Sequence, residues 1–144
     1  MNNEKHPLPV VGLFILNKKN QILIVKSYKW PGFYSIPGGK IISGETMKDA
    51  LIREAKEEVG LDIKVVEFLW PIDAIYPKEF FKKKHFIFLD FLCKVKNNNA
   101  PTIDKNEIQS YKWVDLKESL KMNLEPYSKD TIARCIIPYF KGKI

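Results

Sequence analysis

The chain is poor in the residues that staple or metallate small proteins, with two cysteines and two histidines among 144 residues. Cys93 and Cys135 make no zinc-type cluster. With no signal-peptide pattern ahead of them they read as reduced thiols in a cytoplasmic protein. His6 lies in a polar, proline-bounded tail (residues 1–7) expected to be flexible, so a Ser-His-Asp arrangement would have to rest on His85 alone and is weak. Long apolar runs are missing. Ile22 to Val25 and Phe86 to Leu92 fall far short of the ~20 residues a membrane-spanning helix requires, and the chain is expected to be soluble, with no membrane partner. Acids are outnumbered 17 to 24 by Lys and Arg, giving +7, which favours an anionic partner without choosing its class.

What is there is a folded chain. A hydrophobic fraction of 45% suits one compact domain over residues 1–144, monomeric or homodimeric, with no repeat or linker in view. Val10 to Leu16 and Gln21 to Ser27 are β-rich runs around Asn17-Lys18-Lys19-Asn20, which predicts a hairpin. Phe33 to Ile36 predicts a short strand that Pro37-Gly38-Gly39 interrupts. Thr46 is placed to cap a helix from Met47 to Val59, and Gly60 to stop it. Ile63 to Trp70, His85 to Val95 and Tyr111 to Val114 read as strands. Pro71 to Lys84 and Lys96 to Lys105 read as loops. Leu116 to Met122 and Ser128 to Ile137 read as helices, Ser128 or Asp130 capping the second and Pro138 ending it. Strands and helices mixed this way predict an α/β class fold, a sandwich around a mixed sheet.

The chemistry sits on the Met47–Val59 helix. At about 100° per residue, Glu54, Glu57 and Glu58 fall on one arc, beside an apolar arc of Leu51, Ile52, Ala55 and Val59 that can pack on a sheet. Like charges at these spacings cost roughly 0.2–0.5 kcal/mol each, and acids in the last helical turn oppose the helix dipole by roughly 0.3–1 kcal/mol. A divalent cation reverses the sign of every one of these terms, and carboxylate oxygens are the hard ligands Mg²⁺ prefers. The pattern therefore predicts a metal site.

Around these acids, Gly39, Glu45, Arg53, Glu54, Glu57, Glu58 and Gly60 stand in the order G-x5-E-x7-R-E-A-x-E-E-x-G-L. With each residue type near 5–7% in average usage, seven such matches at one start position have a chance probability on the order of one in 10⁸. The segment resembles the Nudix box of the MutT-like hydrolases, with Ala55 where the family prefers a bulkier aliphatic residue. The resemblance implies a Nudix-type α/β/α sandwich with a mixed β-sheet. It also implies a hydrolase that binds Mg²⁺ or Mn²⁺ against a diphosphate and cleaves a nucleoside diphosphate derivative by attack of water on phosphorus.

Position by position, it assigns metal ligation to Glu54, Glu57, Glu58 and the Gly38 carbonyl, and orientation of the carboxylates to Arg53. Glu57 is a candidate general base, with Glu107 outside the box as its rival. Gly39 and Lys40 are candidates to meet phosphate, and Glu45 either supports the metal shell or the first helical turn. Trp30 and Tyr34, with Phe33 and Tyr76 behind them, are candidates to stack on a base, and the run from Lys82 to His85 to meet outer phosphates. The small size favours a nucleoside triphosphate as substrate. An ADP-ribose-like sugar nucleotide is the alternative, RNA is a third substrate suggested by the basic charge, and a non-catalytic nucleotide-binding or RNA 5′-end module is disfavoured by the intact acid set.

Overall fold

The computed structural model describes residues 5–141; positions 1–4 of the expected tail lie outside it. Strands β1 (Leu8–Leu16) and β2 (Gln21–Ser27) form the expected hairpin. Its turn is made by Asn17, whose Oδ1 accepts the N–H groups of Lys19 and Gln21 at 3.0 Å, so the side chain stands in for turn backbone. Strand β3 (Tyr34–Ser35) pairs with β2, and β4 (Gly38–Lys40) pairs antiparallel with β1. After helix α1 (Met47–Val59) come β5 (Ile63–Ile75), β6 (His85–Val95) and β7 (Ile108–Asp115). The sheet order is β3-β2-β1-β6-β5, with β7 against β2. β1 and β6 run parallel from Leu8↔Phe86 to Leu16↔Lys94, while the other pairs are antiparallel, so the sheet is mixed.

Alternation along β1 splits the core. Val11, Leu13 and Ile15 pack with Leu51, Ala55 and Val59 of α1 on one face. Phe14 and Leu16 pack on the other with Leu124, Ile132 and Ile136 of the C-terminal helical region. One helical layer on each side of a mixed sheet is the expected α/β/α sandwich. Helix α1 begins and ends as its sequence dictates. Thr46 Oγ1 accepts the Asp49 N–H at 3.0 Å, and Gly60, at φ 64°, donates its N–H to the Lys56 carbonyl at 3.1 Å.

Four expectations need correction. β5 does not stop at Trp70 but runs through Pro71 to Ile75, because it is an edge strand paired only with β6, where a missing N–H costs no ladder bond; register shifts at Val65/Glu67 and Phe68/Trp70 relieve the rest. Gly38-Gly39 is itself strand, held against Val11 and Gly12. Helix α2 is confined to Leu116–Ser119. The last helical run begins earlier and ends later than expected. Glu125 rather than Ser128 or Asp130 caps α3 (Pro126–Thr131), its carboxylate accepting the Ser128 N–H, with Pro126 in the first turn where no donor is needed. A π-helical turn (Ile132–Ile136) then leads into α4 (Ile137–Lys141), so the chain passes through Pro138. Ile137 bonds back five residues to the Ile132 carbonyl, and this widened register sits next to the residue that has no N–H to give.

Candidate active site

Helix α1 presents its acids toward the β1–β4 edge. Arg53 is the hub of the cluster. Its guanidinium donates to Glu45 at 3.1 and 2.6 Å, to Glu54 at 2.9 Å, to Glu57 at 3.1 Å and to the Lys40 carbonyl at 2.9 Å. A planar fork with five donors can hold so many partners, whereas an ammonium could not. Glu45 is wholly engaged by Arg53 and the Ile42 N–H, which hold its carboxyl below the usual range. Glu45 therefore ties the loop before α1 to the helix. Burial pushes Glu54 up despite Arg53. Burial, then the Glu54 charge, pushes Glu58 up to about 8, even though its carboxylate accepts the Gly38 N–H at 2.9 Å.

The glycine pair is required by close approach rather than by a turn. A methyl group on Gly39 would lie 2.4 Å from the Glu54 carboxylate, and one on Gly38 would lie 2.4 Å from the Val11 carbonyl oxygen.

A cleft of about 480 Å³ opens beside this cluster, within the range of nucleotide-sized sites. Glu54, Glu57, Glu58, Gly38, Gly39 and Lys40 line one end, together with Glu107 and Lys29. Glu107 pairs with Lys29 at 3.4 Å and adds to the field that raises Glu58, so the structure brings this acid to the box although it lies far along the chain. Trp30 lines the other end, its ring edge-on to Phe80 with centroids 4.9 Å apart.

Tyr34 is not brought into the cleft. Its ring packs against the second core cluster, with the ammonium groups of Lys26 and Lys112 over it at 4.9 and 5.7 Å. Phe33 is likewise outside, and Tyr76 lines a separate shallow groove with Pro77 and Ala133. Of the Lys82 to His85 run, Lys82 and Lys84 reach the cleft lining. Sequence reasoning missed Phe80, Phe86, Phe88, Asp90, Glu125 and Tyr127, which form the far end. A signal was present in β6, where period-two alternation puts Phe86, Phe88, Asp90 and Leu92 on one face. An acid inside that apolar stripe is out of place in a core.

The donor chemistry suits a hard divalent cation. Three carboxylates border one space, and two of them, Glu54 and Glu58, are kept from easy ionisation by burial and by a neighbouring carboxylate, a penalty that a cation removes. Among the described residues, however, no three acids already stand in ligating array. Glu57 is held by Arg53 and Glu58 by the Gly38 N–H, each through one oxygen, so for all three acids to ligate one ion their side chains would have to turn toward it. The same residues have no partner histidine or cysteine, which excludes a soft-metal site.

A model of the NUDIX domain matches residues 6–135. Among curated proteins, the RNA pyrophosphohydrolase of Baumannia cicadellinicola subsp. Homalodisca coagulata is 34% identical, with 79% of this chain and 80% of that protein aligned. That of Campylobacter jejuni is 28% identical over 99% and 98%. Among solved structures, a MutT NUDIX hydrolase from Burkholderia pseudomallei superposes with a TM-score of 0.76 at 22% identity, covering 90% of this chain and 98% of that one, which speaks for the fold.

Proposed function

The chain belongs to the Nudix family of hydrolases, and from that membership and the cleft we propose a Mg²⁺- or Mn²⁺-dependent pyrophosphohydrolase acting on a nucleoside 5′-triphosphate. One observation carries the reading. A single cleft has crowded acids at one end and an aromatic pocket at the other, which suits a phosphate chain and a base respectively. When bound, the cation neutralises phosphate charge and acidifies water. Glu54, Glu57 and Glu58, with the Gly38 carbonyl, are the groups that would hold it. Arg53 fixes two of those carboxylates and braces the loop through Glu45. Lys40 and Lys29 place positive charge at the phosphate end. Glu57 takes the proton from the attacking water, with Glu107 as the other acid in reach of that role. Glu57→Gln removing most turnover while Glu107→Gln spares it supports this order, and the reverse result exchanges the two.

A second reading is favoured by the relatives named as RNA pyrophosphohydrolases and by the +7 charge: the triphosphate is the 5′ end of an RNA. Product analysis with Mg²⁺ across nucleoside triphosphates, ADP-ribose, sugar nucleotides and 5′-triphosphorylated RNA separates the readings. Monophosphate plus pyrophosphate from a free triphosphate supports the first. Pyrophosphate released from RNA alone, with steep salt dependence, supports the second. AMP plus a sugar phosphate moves the chain to the sugar-nucleotide class, and binding without turnover removes the hydrolase reading.

A further inference from the structure

The far end of the cleft holds two buried carboxyl groups, one of which keeps an oxygen that no protein donor reaches among the described residues. Asp90 is 5% exposed, and its Oδ2 accepts the Thr131 hydroxyl at 2.7 Å. Thr131 is itself oriented by the Trp70 indole N–H, which donates to its oxygen at 2.9 Å. The other oxygen, Oδ1, has no hydrogen-bond donor among the described residues and lies over Gly12, where a methyl group would come within 2.4 Å of it. Gly12 and Asp90 both line the cleft, so the missing side chain at position 12 is what gives this oxygen its room. No cation pairs with Asp90 among the same residues. Glu125, 2% exposed, adds a second buried carboxyl at the same end, its cap to Ser128 already made.

A carboxylate that is fixed through one oxygen, open to the cleft through the other and unpaired by any cation among the described residues leaves that second oxygen to water or to a ligand that supplies donors. The walls around it are aromatic. Phe88 and Tyr127 stand edge-to-face with centroids 5.6 Å apart, and Trp30 lies 6.4 Å from each. Flat apolar walls with a donor-hungry floor fit a planar heterocycle that presents adjacent N–H groups. An adenine-type edge alternates donor and acceptor and would set a ring nitrogen lone pair against the carboxylate, whereas a guanine-type edge offers two N–H donors side by side.

We propose that Asp90 is the specificity residue of the cleft and selects a guanine-type base by accepting its paired N–H groups. This rests on the reading of the cleft as a nucleotide site, and not on any turnover there.

The test is equilibrium binding of GMP, IMP, AMP and CMP in EDTA at pH 8.5, above the value of about 7 to which burial raises Asp90, followed through tryptophan fluorescence or calorimetry, for the wild type and Asp90→Asn. Asparagine keeps the volume and an acceptor for Thr131 while losing the charge. GMP is expected to bind at least tenfold more tightly than AMP, CMP or IMP, the last lacking one of the two donors. In Asp90→Asn the GMP advantage falls to threefold or less, with AMP changed by less than threefold. AMP or CMP bound as tightly as GMP by the wild type overturns the proposal whether or not the variant folds, as does a folded Asp90→Asn that keeps the preference. The hydrolase reading fails separately. A GMP preference with no Mg²⁺-dependent cleavage of any triphosphate leaves Asp90's role standing and removes the reaction.

Discussion

Glu58→Gln should make the metal-free protein more stable in alkali while disabling the proposed metal site. Glu58 ionises at about 8 in the folded chain against an ordinary 4.5. A folded group with a raised value contributes stability that is fully present below about pH 4.5 and is lost as the pH climbs through about 8. At about 1.4 kcal/mol per tenfold change in proton affinity, the burden of the buried charge at pH 8.5 is on the order of 4–5 kcal/mol. Glutamine removes that charge and keeps an acceptor for the Gly38 N–H, but it buries an amide that needs donor partners, at roughly 1–3 kcal/mol. The net gain is about 2 kcal/mol, or roughly 5–10 °C in melting temperature for a chain of this size. The assay is thermal unfolding of both proteins in EDTA at pH 4.5, 6.5 and 8.5. The variant should melt earlier at pH 4.5, where Glu58 is protonated and only the cost of the amide separates the two, and later at pH 8.5, where the buried charge outweighs that cost. A variant that melts earlier at pH 8.5, or a difference independent of pH, would refute the argument that burial of charge sets the stability of this helix end.

Arg53→Lys should destabilise the chain by about 1–3 kcal/mol in denaturant unfolding and cut turnover at least tenfold, since an ammonium can replace only part of the fork that holds Glu45, Glu54 and Glu57. Mg²⁺ at 100 times its Kd should raise stability by about 2.7 kcal/mol over EDTA in the wild type, and by little in Glu58→Gln; identical melting with and without metal would count against the site. Gly39→Ala should leave the melting temperature nearly unchanged, because the side chain it strikes, Glu54, can rotate away. It should weaken Mg²⁺ binding at least tenfold by calorimetry, since that rotation withdraws one of the proposed ligands.

The hairpin, α1 and both of its caps were legible in the sequence because their signals are local. Asn17 builds its own turn, Thr46 caps its own helix, and Gly60 supplies the left-handed stop. The extension of β5 through Pro71 was not legible, since tolerance of a proline depends on whether the strand lies at a sheet edge, which is a fact of topology. The same holds for Pro138, whose acceptance follows from a π turn that five ordinary residues make. In the site, the acids of one helix could be read by spacing alone. Glu107 came within view but not to its place, and the far end of the cleft is assembled from β6 and the start of α3, so only the out-of-place Asp90 announced it. Tyr34 shows the opposite failure. An aromatic next to a turn looks free to meet a ligand until the fold supplies Leu124 beside it and two ammonium groups above its ring.

The Arg53 fork spans a gap that has no regular structure of its own. Between the last residue of β4 and the cap of α1 the chain runs from Ile41 to Glu45, and the guanidinium joins the Lys40 carbonyl at one end of that stretch to Glu45 at the other. The loop is thereby closed into a ring with the helix. Its conformational freedom is surrendered once, as the chain folds, and not again at every encounter with a ligand. A brace of this kind shifts the cost of order from the catalytic cycle to biosynthesis, so its loss would show as slower and weaker engagement of substrate in a protein that still folds.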